Sequence, residues 1–494
     1  MPTPPPANAI TDRLAADRLG TGSLVAYALC AATPLTVVAG VTTTGIALTG
    51  QIGLPVAFLA IAAVLALFAI GYTAMAARIP NAGAFYAFIA QGLNPAAGVG
   101  AAWIAYAAYT ALTAGLYGLI GVATPPLLDS LFGIVVPWWV AAGACWLLVA
   151  ILGTRAVDLN GRILTILLVA EGAIITAAAA VSFANPRGGE FSFAALDPVA
   201  FATSGGGGAL LALAFLGCVG FEAPAVYAEE SRHPTRTVRR ATFLTLIALV
   251  ALYAPAAWAL TVAVGPDHVV DAAAANGIDV YFNLIAEHLG GPVATAASVL
   301  LVTSVIAAAI SFHNTTARYM FALGREGVLP ESLGRTRPRT GAPARAALTQ
   351  SVISGVIICT YAALGLDPLV DMFYTLGTAG GYAILLLVAL AGFAVVRYFT
   401  RNRDGMSRWQ TVIAPVAAAV LLTGIFVLAT VDFGDLLGAP PGSNLPVAIP
   451  VTIAAIGLAG TVCGLVLAFV RPRTYQRIGA GPAADRVTTT TAGR

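Results

Sequence analysis

LVAYALCAATPLTVVAG, residues 24–40, is almost wholly apolar yet carries Pro34 in its middle, directly after the small residues Ala31, Ala32 and Thr33. A second stretch, LALAFLGCVGFEAPAVYAEE at 211–230, repeats the fault with Gly217, Gly220 and Pro224. Proline removes a backbone donor and collides with the preceding turn, and glycine lets the chain leave helical geometry, so both stretches are expected to be interrupted helices. Lipid cannot satisfy the freed amides and carbonyls, so such breaks belong where protein or a wet cavity takes over. Single proline or glycine faults commonly just kink a membrane helix or let helices pack closely. Two faults at matching positions, Pro34 and Pro224, suggest instead two discontinuous helices at the centre of an inverted repeat.

The rest of the chain is built to surround them. Of its 494 residues 59% are hydrophobic and 10% charged, with a mean hydropathy of +0.88, too little polar surface to cover a water-soluble globule. All 25 basic side chains are arginine. Apart from Arg187, and with Arg318 at the end of a span, they fall in alternate gaps between apolar segments, the signature of a chain threaded through a bilayer with arginine-rich loops inside. A span needs roughly 20 apolar residues. Twelve segments qualify: 23–48, 54–76, 98–121, 134–152, 163–183, 208–228, 242–264, 293–321, 347–364, 371–396, 411–431 and 447–469. The expected organisation is a cytoplasmic tail (1–22), a first repeat (23–183), a second repeat (208–396), two further spans (411–469) and a cytoplasmic tail (470–494). An even number of spans puts both termini on the cytoplasmic side of the cell membrane. Gly205 to Gly208 reads either as the entry of a re-entrant loop or as a flexible link.

Composition also excludes classes. The arginines are scattered over short loops and form no nucleic-acid-binding domain. Five cysteines without CxxC spacing and four scattered histidines offer no disulfide framework, metal site or cofactor site. HExxH, GxSxG and P-loop motifs are missing, so an enzyme is not expected.

Four stretches carry a resemblance: IPNAGAFYAFIAQGLNPAAG (79–98), GFEAPAVYAEESRHPTRTVRRA (220–241), NTTARYMFALGREGVLPESLGR (314–335) and PRTGAPARA (338–346). Together they resemble the amino acid–polyamine–organocation permeases over spans 1 to 10. The resemblance implies an all-α membrane protein with a LeuT-like 5+5 inverted repeat plus two C-terminal helices. It also implies alternating access, with a small amine-bearing substrate held between the breaks of spans 1 and 6. Carried over by position, the substrate-binding candidates are Ala31, Ala32, Thr33 and Pro34, and Phe215, Gly217, Cys218, Val219, Gly220 and Phe221. Phe215 or Phe221 is the candidate wall or gate, and Tyr106 or Tyr109 the aromatic from span 3. Some proton-coupled relatives use a lysine in span 5; this chain has no lysine.

Ionisable groups at membrane depth are costly and mark candidate coupling residues. Glu222, at the second break, reads as a proton-coupling carboxylate or as a brace for the broken helix. Glu171 reads as a relay or as the partner of a neighbouring polar group, and His313 as a titrating group or a packed one. Ser311, Thr315 and Thr316 offer hydroxyls to a sodium ion or to their own helix. Arg318 with Glu229, Glu230, Arg232, Arg239 and Arg240 reads as an ion-pair gate or as solvated loop charge. The expected function is secondary active transport of an amino acid with a proton as co-substrate. A polyamine or amine transporter and an amino acid exchanger are the alternatives of the same fold, and a non-transporting membrane sensor or a channel is the remote alternative.

Overall fold

The computed structural model describes residue 14 and residues 16–154, 161–203, 205–337, 341–402 and 405–481. Among the described residues the regular structure is helical, with one isolated bridge pairing Leu19 and Ser231. The first passage is divided into α1 (Thr21–Ala32), α2 (Pro34–Thr36), a π-helical turn (Val37–Val41) and α3 (Thr42–Thr49). α4 (Leu54–Ala76), a short α5 (Phe85–Gly92), α6 (Pro95–Phe132), α7 (Trp138–Gly153) and α8 (Gly161–Ala184) follow. After the small α9 (Pro198–Thr203) comes a second divided passage, α10 (Gly207–Cys218) and α11 (Ala223–Val226). The chain continues through α12 (Pro234–Val264), α13 (Val269–Asn276), α14 (Asp279–Leu289), α15 (Gly291–Arg325), α16 (Ala344–Ala363) and α17 (Thr375–Arg401). It ends with α18 (Ala414–Val431), α19 (Phe433–Leu437), α20 (Leu445–Val470) and α21 (Pro472–Arg477).

Among the described residues ten helices are long and apolar enough to cross a bilayer. The expected spans 134–152 and 208–228 are instead the shorter apolar helices α7 and α10. The shortness of α10 has a local cause: beyond Cys218 the backbone becomes extended at Val219 and then turns through Gly220 at φ +116. The run at Gly205 to Gly208 is a turn into α10, with Gly206 in the left-handed region.

Burial separates the centre from the periphery. Leu24, Ala28, Leu35 and Ala39 of the first passage are shut away from solvent, whereas Val466 and Phe469 of α20 are 52% and 85% exposed. An apolar side chain so exposed on an apolar helix faces lipid. α20 joins the bundle through a seam of small residues. A methyl group added at Gly100 of α6 would lie 2.2 Å from the Thr461 hydroxyl, and one at Gly460 would lie 2.9 Å from the Gly100 Cα. Small residues let membrane helices approach closely enough for dispersion to hold them together.

Parts of both expected tails are tied down. Arg18 and Leu19 donate backbone N–H groups to the Glu230 carbonyl at 2.9 and 3.0 Å, and Arg232 N–H donates to the Leu19 carbonyl at 2.8 Å. At the other end of the chain Ile478 is fully buried and Gly479 N–H donates to Glu326 at 2.8 Å. Both described chain ends therefore lie on one end of the bundle, the terminus-bearing end. Residues 1–13, 15 and 482–494 of the expected tails lie outside the described residues.

Candidate functional site

At the first break Thr33 takes a left-handed conformation (φ 45, ψ 69), which ends α1, and Pro34 opens α2 with its ring already set for a helix start. Neighbouring helices satisfy the groups that the break frees. Tyr253 of α12 donates its hydroxyl to the Ala32 carbonyl at 3.1 Å, and Leu35 N–H donates to Glu171 Oε2 of α8 at 3.4 Å. At the second break Gly220 N–H donates to Glu222 Oε2 at 2.8 Å, while Tyr109 of α6 donates to Glu222 Oε1 at 2.8 Å. Tyr72 of α4 reaches the Glu222 backbone carbonyl at 3.3 Å. The two breaks touch: a methyl group at Gly220 would lie 2.7 Å from Ala31 Cβ and 2.9 Å from the Ala28 carbonyl, so only glycine fits there.

A cavity of about 370 Å³ rises from the breaks toward the end of the bundle opposite the termini. Ala31, Ala32, Thr33 and Val219 lie at its inner end; Thr36, Leu116, Leu216 and Phe312 form its walls, and Leu48, Tyr374 and Leu437 stand further out. Thr44 and Tyr374 hydroxyls meet at 3.3 Å on the wall. None of the lining residues is an acid, arginine or histidine. The Thr36 hydroxyl is buried without a hydrogen-bond partner among the described residues.

Toward the terminus-bearing end the space is filled by aromatic rings. Tyr109 packs on Phe312 and Tyr319 with centroids 6.0 and 5.6 Å apart, and Tyr86 packs on Tyr319 at 6.0 Å. Beyond them Arg318 grips Glu230 with bonds of 2.7 and 3.1 Å and lies over the Tyr227 ring, and Arg325 grips Glu229 with two bonds of 2.8 Å. Glu229 also accepts from Ala82 N–H at 2.9 Å. Glu326, just past the end of α15, accepts from Asn81 Nδ2 at 2.9 Å as well as from Gly479. Burial pushes the Glu326 carboxyl above its ordinary range, although these hydrogen bonds oppose the shift. Three of the four quoted stretches, distant in sequence, thus converge on one layer.

The sequence candidates divide accordingly. Ala31, Ala32, Thr33 and Val219 line the cavity; Pro34, Gly217, Cys218 and Gly220 shape the breaks behind it. Phe215 and Phe221 do not reach it: both are buried in protein, Phe221 against Phe68 at 6.1 Å. Tyr106 is not on the lining and Tyr109 lies one ring beneath it. His313 is fully buried, its nitrogens lack hydrogen-bond partners among the described residues, and it packs so closely on Gly153 that a methyl group there would lie 2.6 Å from Nε2. Ser311 donates to the Tyr27 carbonyl at 3.3 Å and Thr316 to the Phe312 carbonyl at 2.8 Å, the backbone-satisfying use of a membrane hydroxyl. Sequence reasoning missed Thr36, Phe312, Tyr374, Tyr72 and Tyr253. The last two had a signal: they are separated by 181 residues, close to the 190 that separate Pro34 and Pro224.

An apolar helical bundle with a central cavity ending on broken helices is a multi-pass membrane transporter, not an enzyme. The family model described as amino acid permease matches residues 19–474, and the chain belongs to that family, within the amino acid–polyamine–organocation superfamily. A search of curated proteins finds no match. Among solved structures, the manganese transporter of Eremococcus coleocola in complex with an aromatic bis-isothiourea substituted compound is similar in fold, at a TM-score of 0.55 and 15% identity over 92% of this chain and 95% of that one. A histidine-to-alanine variant of the same transporter gives 0.50 and 14% over the same shares.

Proposed function

We propose that the protein is a secondary active transporter that carries a small neutral amino acid across the cell membrane, coupled to protons, by alternating access. The observation that carries the reading is the cavity whose inner end is helix-break backbone and whose lining holds no charged side chain. Backbone ends offer partial positive and partial negative charge at once, which suits the carboxylate and amine of a zwitterion. A polyamine would bring several positive charges into a lining with no acid to meet them. Manganese is what the similar solved structures are named for; among the described residues no group of three or more His, Cys, Asp or Glu could hold a metal ion.

The 5+5 repeat, with spans 1 and 6 broken, is part of this reading. Its support is an exchange of tyrosines. Tyr72 on span 2 supports the break in span 6, and Tyr253 on span 7 supports the break in span 1. Helices 2 and 7 are the corresponding members of two five-helix repeats.

Coupling runs through Glu222. It lies two rings from the substrate space, through Tyr109 and Phe312. As an anion Glu222 accepts from both Gly220 and Tyr109; once protonated on Oε1 it donates to the Tyr109 oxygen instead, and the Tyr109 hydroxyl is released to turn. A proton on Glu222 thereby alters the first layer of the aromatic block. On the terminus-bearing side, the Arg318–Glu230 and Arg325–Glu229 pairs must part for release.

The test uses purified protein in proteoliposomes with radiolabelled neutral amino acids, with and without an imposed pH gradient. Saturable uptake that an inward proton gradient drives supports the proposal. Binding without flux under proton, sodium or exchange conditions would sink it in favour of a sensor, and an ohmic current in favour of a channel.

A further inference from the structure

We infer that Arg335, Arg337 and Arg345 form a binding site for a phosphate group, supplied by the head group of an anionic membrane lipid. A second cavity, of about 390 Å³, lies between the end of α7 and the start of α16, and all three arginines line it together with Thr154 and Leu348. The three are exposed, and among the described residues none has an acidic partner, whereas Arg318 and Arg325 of the same end are paired with Glu230 and Glu229.

Local structure brings the charges together. Arg337 N–H donates to the Ala342 carbonyl at 2.9 Å and Gly341 N–H to the Arg337 carbonyl at 2.9 Å, which closes the loop and sets Arg337 beside the start of α16. That 20-residue helix opens at Ala344 with no side-chain cap; the Ala344 N–H donates to the Ala342 carbonyl, and the next first-turn amides add partial positive charge to the same cleft. Guanidinium forks pair with phosphate oxygens bidentately, a geometry suited to this cluster. Charge retention of loops alone explains arginines in this gap, but not their convergence on a single cavity.

The apolar surroundings select the source of the phosphate. Leu348, Val352 and Val356 recur every fourth residue on α16 and are 59%, 56% and 59% exposed, with Ile151 of α7 46% exposed nearby. This stripe begins at the cleft and continues along the lipid-facing surface. It gives an acyl chain a track and has no role for a free phosphate ion. Basic pockets between spans hold lipid head groups in this manner.

Native mass spectrometry of the full chain in mild detergent, titrated with phosphatidylglycerol or with phosphatidylcholine, tests the site. Each basic group near an anionic surface is worth roughly a fivefold change in affinity, so Arg335→Gln, Arg337→Gln and Arg345→Gln combined should weaken phosphatidylglycerol binding on the order of 100-fold. Phosphatidylcholine binding should not change, and melting of the triple variant without anionic lipid should match the parent. If the triple variant does not fold, Arg337→Gln and Arg345→Gln alone should each give the fivefold loss. Displacement of the lipid by millimolar inorganic phosphate would overturn the lipid as source, and equal phosphatidylglycerol affinity in parent and variants would overturn the site.

Discussion

The two helix breaks solve one problem in different ways. The first is held from outside, by Tyr253 of α12 and Glu171 of α8, and turns Ala31, Ala32 and Thr33 toward the cavity. The second is braced partly by its own carboxylate: Glu222 accepts the N–H of Gly220 two residues earlier, Tyr72 and Tyr109 add support from outside, and only Val219 of its unwound segment reaches the cavity. The first break gives its Ala32 carbonyl and Leu35 amide to α12 and α8 and leaves Ala31, Ala32 and Thr33 on the cavity lining. A break closed on its own carboxylate becomes part of the protein's interior, and any change in that carboxylate is felt in the backbone itself. On the proposed function the first break receives substrate and the second responds to the proton.

The contact between them gives the largest expected effect. Gly220 combines a positive φ with a Cβ position 2.7 Å from Ala31, so Gly220→Ala faces both strain and overlap. Its cost should be at least about 3 kcal/mol, read as a collapse of thermal stability in detergent and loss of uptake. A stable, active Gly220→Ala protein would mean the breaks do not bear on each other.

Next is the difference between the two acids. Glu222→Ala leaves the Gly220 amide and the Tyr109 hydroxyl buried without a partner, a loss of about 2–3 kcal/mol in unfolding experiments. Glu222→Gln can still accept from Gly220 and donate to Tyr109, so it should fold while uptake loses its dependence on external pH. Glu171→Gln should keep the pH profile, because the Glu171 carboxyl meets the Leu35 amide and the Ser304 hydroxyl, whereas Glu222 is bonded directly to Tyr109 of the aromatic block. If the pH response vanished with Glu171 and survived Glu222→Gln, the roles assigned to the two breaks would be reversed.

Smaller still is the paired tyrosine effect. Tyr72→Phe and Tyr253→Phe each remove one hydroxyl from a break carbonyl, at 3.3 and 3.1 Å. Each should cost about 1 kcal/mol in melting experiments, and the two costs should be similar and additive. Clearly unequal costs would argue against the two-fold correspondence between spans 2 and 7.

How much of this was legible follows from the same contrast. Pro34 and the Gly220–Pro224 pair announced the breaks, since their effect on a helix is local and chemical. The run of apolar segments announced a multi-pass membrane chain, since length and hydropathy are also local properties. The faces of the helices were hidden. α10 is apolar all round, so nothing in LALAFLGC says that Phe215 turns inward to protein while Leu213 and Leu216 line the cavity. Nor does any local rule link Glu326 to Gly479 or Tyr253 to Ala32; those bonds exist because the fold joins segments 153 and 221 residues apart.

Thr36 gives the smallest expected effect and the sharpest view of the first break as a receiving surface. It sits two residues past Pro34, lines the cavity, is 5% exposed, and its hydroxyl has no hydrogen-bond partner among the described residues. An unpaired buried hydroxyl contributes nothing to the empty protein and penalises it if anything. Thr36→Val keeps the shape of the side chain and removes that penalty, so stability should hold or rise slightly. If substrate supplies the missing partner, the same change forfeits one hydrogen bond made only in the loaded state. KM for uptake should then rise about three- to tenfold with kcat little altered. Unchanged KM would remove Thr36 from the substrate surface, and a fall in stability would show that its hydroxyl is already paired within the protein.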